Sequence, residues 1–282
     1  MKACFEAGLL QTRPQPDFAS AIDEAIALAE QAVEDGAEFL MLPEYCGGLR
    51  SEGAMLAPPT ATESEHPVLA ALREFAHSRK TWILVGSVAI EGPDGKFFNR
   101  GFVIDGCGEI RSRYDKIHLF DVELSPSEIY RESARVHPGS RAGLATTVFG
   151  RIGFTICYEL RFPGLYRELA QAGADFLVAP AAFTKKTGEM HWHILNRSRA
   201  IENGCYVLSP CSTGPVPGGG ACFGHSLVVD PWGRVIGDGG IGPGVVRAHV
   251  DLNLVADARR RIPSLKHDRA YESPSREIRS AA

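Results

Sequence analysis

Apolar positions along this chain alternate between two rhythms. Residues 4–10 are nearly continuously apolar, as in a short strand. Phe18, Ile22, Ile26, Ala29 and Val33 then recur every three or four residues, which predicts a helix, and Asp35-Gly36 supplies its stop. The apolar run 39–42 ends at Pro43 and reads as a buried strand. Val68, Leu69, Leu72, Phe75 and Ala76 predict a second helix, with Pro67 in its first turn. Residues 82–90 predict another strand, and 97–105 with 109–115 a hairpin closed by Gly106-Cys107-Gly108.

The same order then returns. Residues 165–172 predict a helix stopped at Gly173, 176–179 a buried strand ending at Pro180, 192–203 a helix stopped at Gly204, and 206–209 a strand. Residues 222–230 and 234–236 read as a second hairpin around Pro231-Trp232-Gly233. Two segments match position by position. Gly36-Ala37-Glu38-Phe39-Leu40-Met41-Leu42-Pro43 corresponds to Gly173-Ala174-Asp175-Phe176-Leu177-Val178-Ala179-Pro180, and residues 98–105 correspond to 223–230. Helix, strand, helix, strand, hairpin therefore occurs twice, an internal duplication. Each copy yields a half-sheet with helices on one face, and each sheet has to bury its other face. The expected fold is α/β with α+β character: a four-layer α-β-β-α sandwich of two mixed sheets with an internal pseudo-repeat. No linker divides the halves, so residues 1–261 are expected to form one domain. Residues 214–220 read as a loop tip, and 262–282, charged and aperiodic, as an extended tail.

Composition narrows the functional class. Hydrophobic residues at 44% support a sizeable core, and 30 Lys+Arg against 34 Asp+Glu leave a net charge of −4. Without a basic block, nucleic acid is not an expected partner. No apolar run approaches the ~18 residues that mark a membrane span, and the N-terminus lacks the pattern of a signal peptide. The seven cysteines form no CxxC pair, which argues against a disulfide framework or a thiolate metal site and for a reducing, cytoplasmic setting.

Three residues stand out as chemistry. Cys157 follows a β-type run and precedes Pro163, a helix start. A cysteine at a strand-to-helix turn is lifted to the sheet edge, where the next backbone N–H groups can face a substrate oxygen. Taken alone, this position favours a buried structural cysteine. Glu44 ends an apolar strand, in the neighbourhood that corresponds to Ala181 of the second copy. A half-buried carboxylate there suits a general base, and a loop acid is the plain alternative. Lys116 lies beside Ile117, Leu119 and Phe120, an apolar setting in which an ammonium needs an anionic partner and would stabilise an oxyanion; otherwise it is a solvated lysine. Three rival readings remain. His118 could serve as the base of a Cys–His pair. His191 and His193 could bind a metal, but residues two apart on a helix point roughly 200° from each other, so no metal site is expected. The chain could also be a binding protein that keeps the fold.

Four segments resemble signature segments of the nitrilase superfamily of carbon–nitrogen hydrolases. They are Leu42-Pro43-Glu44, Tyr114-Asp115-Lys116-Ile117-His118-Leu119-Phe120-Asp121, Cys157-Tyr158-Glu159-Leu160-Arg161-Phe162-Pro163 and Arg199-Ala200-Ile201-Glu202-Asn203. They occur in the family's order, and the likeness runs from about residue 10 to about residue 271. The resemblance implies a Glu–Lys–Cys triad at Glu44, Lys116 and Cys157, the α-β-β-α sandwich, and a homodimer or higher homo-oligomer. It also implies a second carboxylate near the lysine, for which Glu132 is the match, and hydrolysis through a cysteine thioester without a cofactor. Tyr158-Glu159 stands where nitrile-hydrolysing members usually carry Trp-Glu, which points to the amidase side. Residues 181–192 are similar to the branch containing omega-amidase and deaminated glutathione amidase.

The expected substrate is thus a small linear carboxamide, an ω-amide bearing a distal carboxylate; nitrilase and N-carbamoyl hydrolase are the alternatives. Tyr158, Arg161, Ala181, Phe183 and Lys185 are the substrate-binding candidates, with Arg161, Lys185 and Lys186 as cations for the distal carboxylate. Gly164 and the 214–220 loop depart from close relatives and could both touch the pocket.

Overall fold

Alternation along the strands decides the layering. Phe39 and Met41 join Phe5, Ala7 and Leu9 in one apolar cluster, while Leu40 and Leu42 join Leu10, Ala25, Ala29, Leu69 and Leu72 in another. One face of the sheet thus meets helices and the other meets a second sheet. The structure, a computed structural model, describes residues 2–52, 55–126 and 128–272.

The first sheet has eight strands. Its main path runs Val136–His137, Phe97–Ile104, Trp82–Glu91, Phe39–Met41, Cys4–Gln11 and Gly244–Asp251, with Ile110–Asp115 and Thr60–Ala61 paired off this path. The second sheet runs Gly143–Thr147, Gly150–Phe154, Phe176–Val178, Tyr206–Ser209, Leu227–Val229 and Val235–Asp238. In each, the three strands at the heart of the repeat are parallel. Helices α1 (Phe18–Glu34) and α2 (Pro67–Arg79) connect the first trio, and α3 (Pro163–Gln171) and α4 (Lys185–Asn203) the second. The duplication is therefore present element for element. Even the helix stops match: Gly36 and Gly173 have φ of 91° and 93°, a left-handed conformation that glycine adopts without strain.

Between the sheets, Phe5, Phe39, Phe149 and Phe176 pack with ring centroids 4.9–6.4 Å apart. Each buried ring contributes about 1.5–3 kcal/mol, so this cluster holds the two halves in the register that the site needs.

Three features differ from expectation. Helix α4 begins at Lys185 rather than residue 192. Gly188 packs so closely on Phe223 that a Cβ would lie 2.3 Å from its ring, and this packing overrides the low helix propensity of glycine. The expected strand 222–230 is two strands. Ala221–Phe223 pairs with Thr213–Pro215, and Leu227–Val229 lies in the second sheet. The chain breaks between them at Gly224 and His225, with φ of 77° and 54°. Finally, Gly244–Asp251 and α5 (Leu252–Arg261) were not foreseen. That strand pairs antiparallel along the whole of Cys4–Gln11, closing the second half back onto the first. Residues 262–272 form turns and bends, and the expected tail beyond 272 lies outside the described residues. Among the described residues no helix is long and apolar enough to cross a membrane.

Candidate active site

Glu44 stands where the Phe39–Met41 strand runs out. The chain there is drawn over Trp82–Glu91: Leu42 N donates to Leu84 O at 2.9 Å and Tyr45 N to Ser87 Oγ at 2.9 Å. Such an approach requires glycine at position 86, because a Cβ would meet Leu42 O at 2.2 Å. The turn buries the Glu44 carboxylate to 3% exposure. Its Oε1 accepts from Lys116 Nζ and from Asn99 Nδ2, both at 2.9 Å, and its Oε2 accepts from Ala182 N at 2.9 Å. Ala182 follows Ala181, the counterpart of Glu44 in the second half, so equivalent strand ends meet at one rim.

Lys116 follows Ile110–Asp115 and is equally buried. Its Nζ donates to Glu44 Oε1 at 2.9 Å and to Glu132 Oε1 and Oε2 at 3.0 and 2.9 Å. Glu132 also accepts from Phe120 N at 2.6 Å, Tyr45 Oη at 3.2 Å and Asn99 Nδ2 at 3.2 Å. Burial disfavours the Lys116 ammonium, yet the charges of Glu132 and Glu44 outweigh it and hold its pKa well above the ordinary value. For Glu44, burial pushes the carboxyl up, but Lys116 and the Ala182 N–H win and hold it below the usual range.

Cys157 sits three residues past Gly150–Phe154 with φ of 50°, a conformation uncommon for a residue with a side chain. Its N–H donates to Pro180 O at 2.9 Å, and Thr155 Oγ1 donates to Val178 O at 2.8 Å, so the neighbouring strand enforces the turn. A short 3-10 helix, Cys157–Arg161, leads into α3. Burial raises the thiol pKa, the adjacent Glu44 charge raises it further, and Lys116 offsets only part; the thiol lies well above its ordinary value. At neutral pH this is a protonated thiol beside an ionised carboxylate. Glu44, Lys116, Glu132 and Cys157 line one cleft.

Residues 6–260 match the family model described as carbon-nitrogen hydrolase. This chain belongs to the carbon–nitrogen hydrolase family. It is 37% identical over 265 residues to a protein named deaminated glutathione amidase from Synechocystis sp., covering 93% of this chain and 97% of that relative. Among solved structures, the NitFhit protein of C. elegans matches with a TM-score of 0.87 at 30% identity, over 95% of this chain and 66% of that longer one. A variant of the amidase from Nesterenkonia sp. matches with a TM-score of 0.73 at 25% identity, over 92% of this chain and 95% of that one. Its structure is described as showing covalent addition of the acetamide moiety of fluoroacetamide at the active site cysteine. The resemblance carried by the four motifs stands, and with it the fold and the class of hydrolase.

Two residues that hold the candidate site together were missed in the sequence. Asn99 bridges Glu44 and Glu132 through one amide nitrogen. Glu159, fully buried, accepts from Tyr114 Oη at 2.8 Å, Ile117 N at 3.0 Å, His118 N at 3.3 Å and Ile156 N at 2.7 Å. It ties the Lys116 loop to the Cys157 turn. The available signal was an acid inside the motif that follows the cysteine. Arg199, in the fourth motif, donates to Leu160 O from Nε and Nη2 at 3.0 and 2.7 Å and pins the same turn to α4. His118, the rival base, stacks on Phe162 at 3.7 Å, faces Glu159 and does not line the cleft.

The cleft encloses about 640 Å³, counting space open to solvent. Tyr158 and Phe183 line it, with Phe120, Tyr130, Leu49 and Val216. Ala181 is buried behind it and accepts from Ser212 N at 2.9 Å. The three cations expected to receive a distal carboxylate do not line it. Arg161 Nη2 lies 3.2 Å from His191 Nδ1, with its guanidinium over the Phe183 ring; Lys185 is exposed; Lys186 Nζ donates to Glu128 Oε2 at 3.0 Å. The early start of α4 puts both lysines on its exposed first turn. Among the described cleft-lining residues, Lys116 is the sole cation. Gly164 is exposed on α3, away from the cleft, whereas the 214–220 loop contributes Val216, Gly219 and Gly220 to the lining.

Proposed function

We propose that this enzyme is an amidase that converts a small linear carboxamide into a carboxylate and ammonia through a thioester on Cys157. The observation that carries this reading is the convergence of a protonated thiol, an ionised buried carboxylate and a buried ammonium on one cleft. Glu44 takes the thiol proton as sulfur attacks the amide carbon. An ammonium has three donors. With one directed at Glu44 and one shared between the Glu132 oxygens, the third is free for the developing oxyanion. The Tyr158 N–H, in the first turn of its 3-10 helix and so without an intrahelical partner, is the second oxyanion donor. The C–N bond then breaks as Glu44 returns its proton to nitrogen, and ammonia leaves. Glu44 next deprotonates a water that attacks the thioester, releasing the acid and restoring the thiol.

Charge balance supports a second carboxylate beside the lysine. When Glu44 is protonated, a negative charge appears on the substrate oxygen, so the buried cluster keeps its net charge throughout the attack. Glu132 keeps Lys116 an ammonium during that interval, when Glu44 no longer does.

The relatives' amidase names and the thiol adduct on the Nesterenkonia cysteine favour an amide substrate and a cysteine nucleophile. The apolar lining favours a short acyl chain. A distal carboxylate would meet its cation at the mouth, where Lys186, next to cleft-lining Thr187, would exchange Glu128 for substrate. A homodimer belongs to the same reading: α4 leaves Met190, Ile194 and Ile201 exposed, an apolar face suited to a second copy, which sedimentation would test. The functional test is ammonia release from small amides with and without a terminal carboxylate. Turnover that survives in Cys157→Ala would refute the proposal.

A further inference from the structure

Away from the cleft, three metal-ligating side chains converge from separate elements. His193 projects from α4, His225 occupies the turn between Ala221–Phe223 and Leu227–Val229, and Asp238 ends the edge strand Val235–Asp238. Asp238 Oδ2 lies 3.1 Å from His193 Nε2, and Asp238 Oδ1 lies 2.8 Å from His225 Nδ1. Ligand atoms of all three lie within 4.8 Å of one another. We propose that His193, His225 and Asp238 form a binding site for a divalent transition-metal ion, with zinc the best fit to two imidazoles and one carboxylate.

The distances suit an ion. Zinc bonds of about 2.0–2.2 Å place tetrahedral ligands roughly 3.3 Å apart. The two contacts use different Asp238 oxygens, so the three ligand atoms, within 4.8 Å of one another, would draw together around an ion bound through one of them. Two of the candidate ligands are also held in place by neighbouring groups. His225 N donates to Gly240 O at 2.6 Å, its carbonyl accepts from Trp192 Nε1 at 2.7 Å, and its ring stacks on Phe223 at 4.6 Å. Asp238 Oδ1 accepts from Gly240 N at 2.9 Å. Side-chain exposures of 24–37% leave the outer side open for a water as fourth ligand. The His-x-His pair itself is not the site. His191 faces Arg161 while His193 finds its partners in segments far along the chain, which is why the helical argument against the pair leaves His193 free to ligate.

An ion here would clamp α4 to the 213–223 hairpin, whose Ala221 and Cys222 line the cleft. Binding is best measured on Cys157→Ala, so that the reactive thiol does not compete for metal, by calorimetry with zinc and by visible absorption with cobalt(II). The expected result is one saturable ion per chain, a cobalt spectrum without a thiolate charge-transfer band, and a higher melting temperature with metal. His193→Gln, at a partly exposed position of α4, and Asp238→Asn should each weaken binding at least ~10-fold while circular dichroism stays unchanged. Absence of saturable binding, undiminished binding in His193→Gln, or a thiolate band marking the cysteines as ligands would overturn the proposal.

Discussion

Glu44 and Glu159 are both buried to 3% exposure or less, and both reach between the two halves of the duplicated fold. Their partners differ. Glu159 accepts from the Tyr114 hydroxyl and the backbone N–H groups of Ile117, His118 and Ile156, with the His118 imidazole 3.3 Å away, and none of these residues lines the cleft. Glu44 shares Lys116 with Glu132 and lies against the Cys157 thiol, so its neighbours are the groups that would gain and lose charge in the proposed reaction. Burial alone therefore does not mark a reactive carboxylate. One ties two loops together away from the cleft; the other lies in the cleft beside a thiol and an ammonium, where the proposed mechanism has it move protons.

The comparison breaks first at Glu44. Glu44→Gln should lower kcat/KM about a thousandfold or more, in both acylation and deacylation, because the amide accepts no proton. Lys116→Met should be at least as damaging to activity and should also cost about 3–5 kcal/mol of stability, since it strands two buried carboxylates; thermal unfolding would check this. Glu159→Gln retains one acceptor oxygen and should reduce kcat/KM about a hundredfold through misplacement of Lys116 and Cys157. Its pH profile should match that of the unaltered enzyme. A shifted limb would make Glu159 a proton carrier and erase the contrast.

pH sharpens the same distinction. The Glu44 carboxyl is held below its ordinary value, so its contribution to stability is full above the unfolded pKa and is lost as pH falls through the folded one. Lys116, raised, contributes below its unfolded pKa, and that contribution disappears only in strong alkali, above the folded value. With the Cys157 thiol pushed up, kcat/KM should stay flat between about pH 6 and 9, where an ordinary free thiol would titrate. A rise through that window would mean that a preformed thiolate is the reactive species. The smallest effect is expected at Lys186: Lys186→Gln should change KM for a carboxylate-bearing amide less than about fivefold, as for other exposed ion pairs.

The frame of the molecule was legible because apolar periodicity and glycine stops report local structure directly. Glu44 and Cys157 stood out as polar residues at the ends of apolar runs, but it was the four-motif resemblance that singled them out as candidates. Asn99 and Glu159 were not, because their roles depend on which distant loops approach them, and a strand asparagine or a motif acid looks the same without that knowledge. The outward aim of Lys185 and Lys186 was hidden by the misjudged start of α4, itself decided by the contact of Gly188 with Phe223. The partners of His193 lie 32 and 45 residues away in sequence and carry no local signal.

The most direct test is to quench a single turnover with enzyme in excess over a small amide and map the acyl group by peptide mass spectrometry. If Cys157 is the nucleophile, the acyl mass appears on its peptide within the turnover and disappears as acid is released. Ammonia release without any adduct, or an adduct on Cys222, which lines the same cleft, would contradict that assignment.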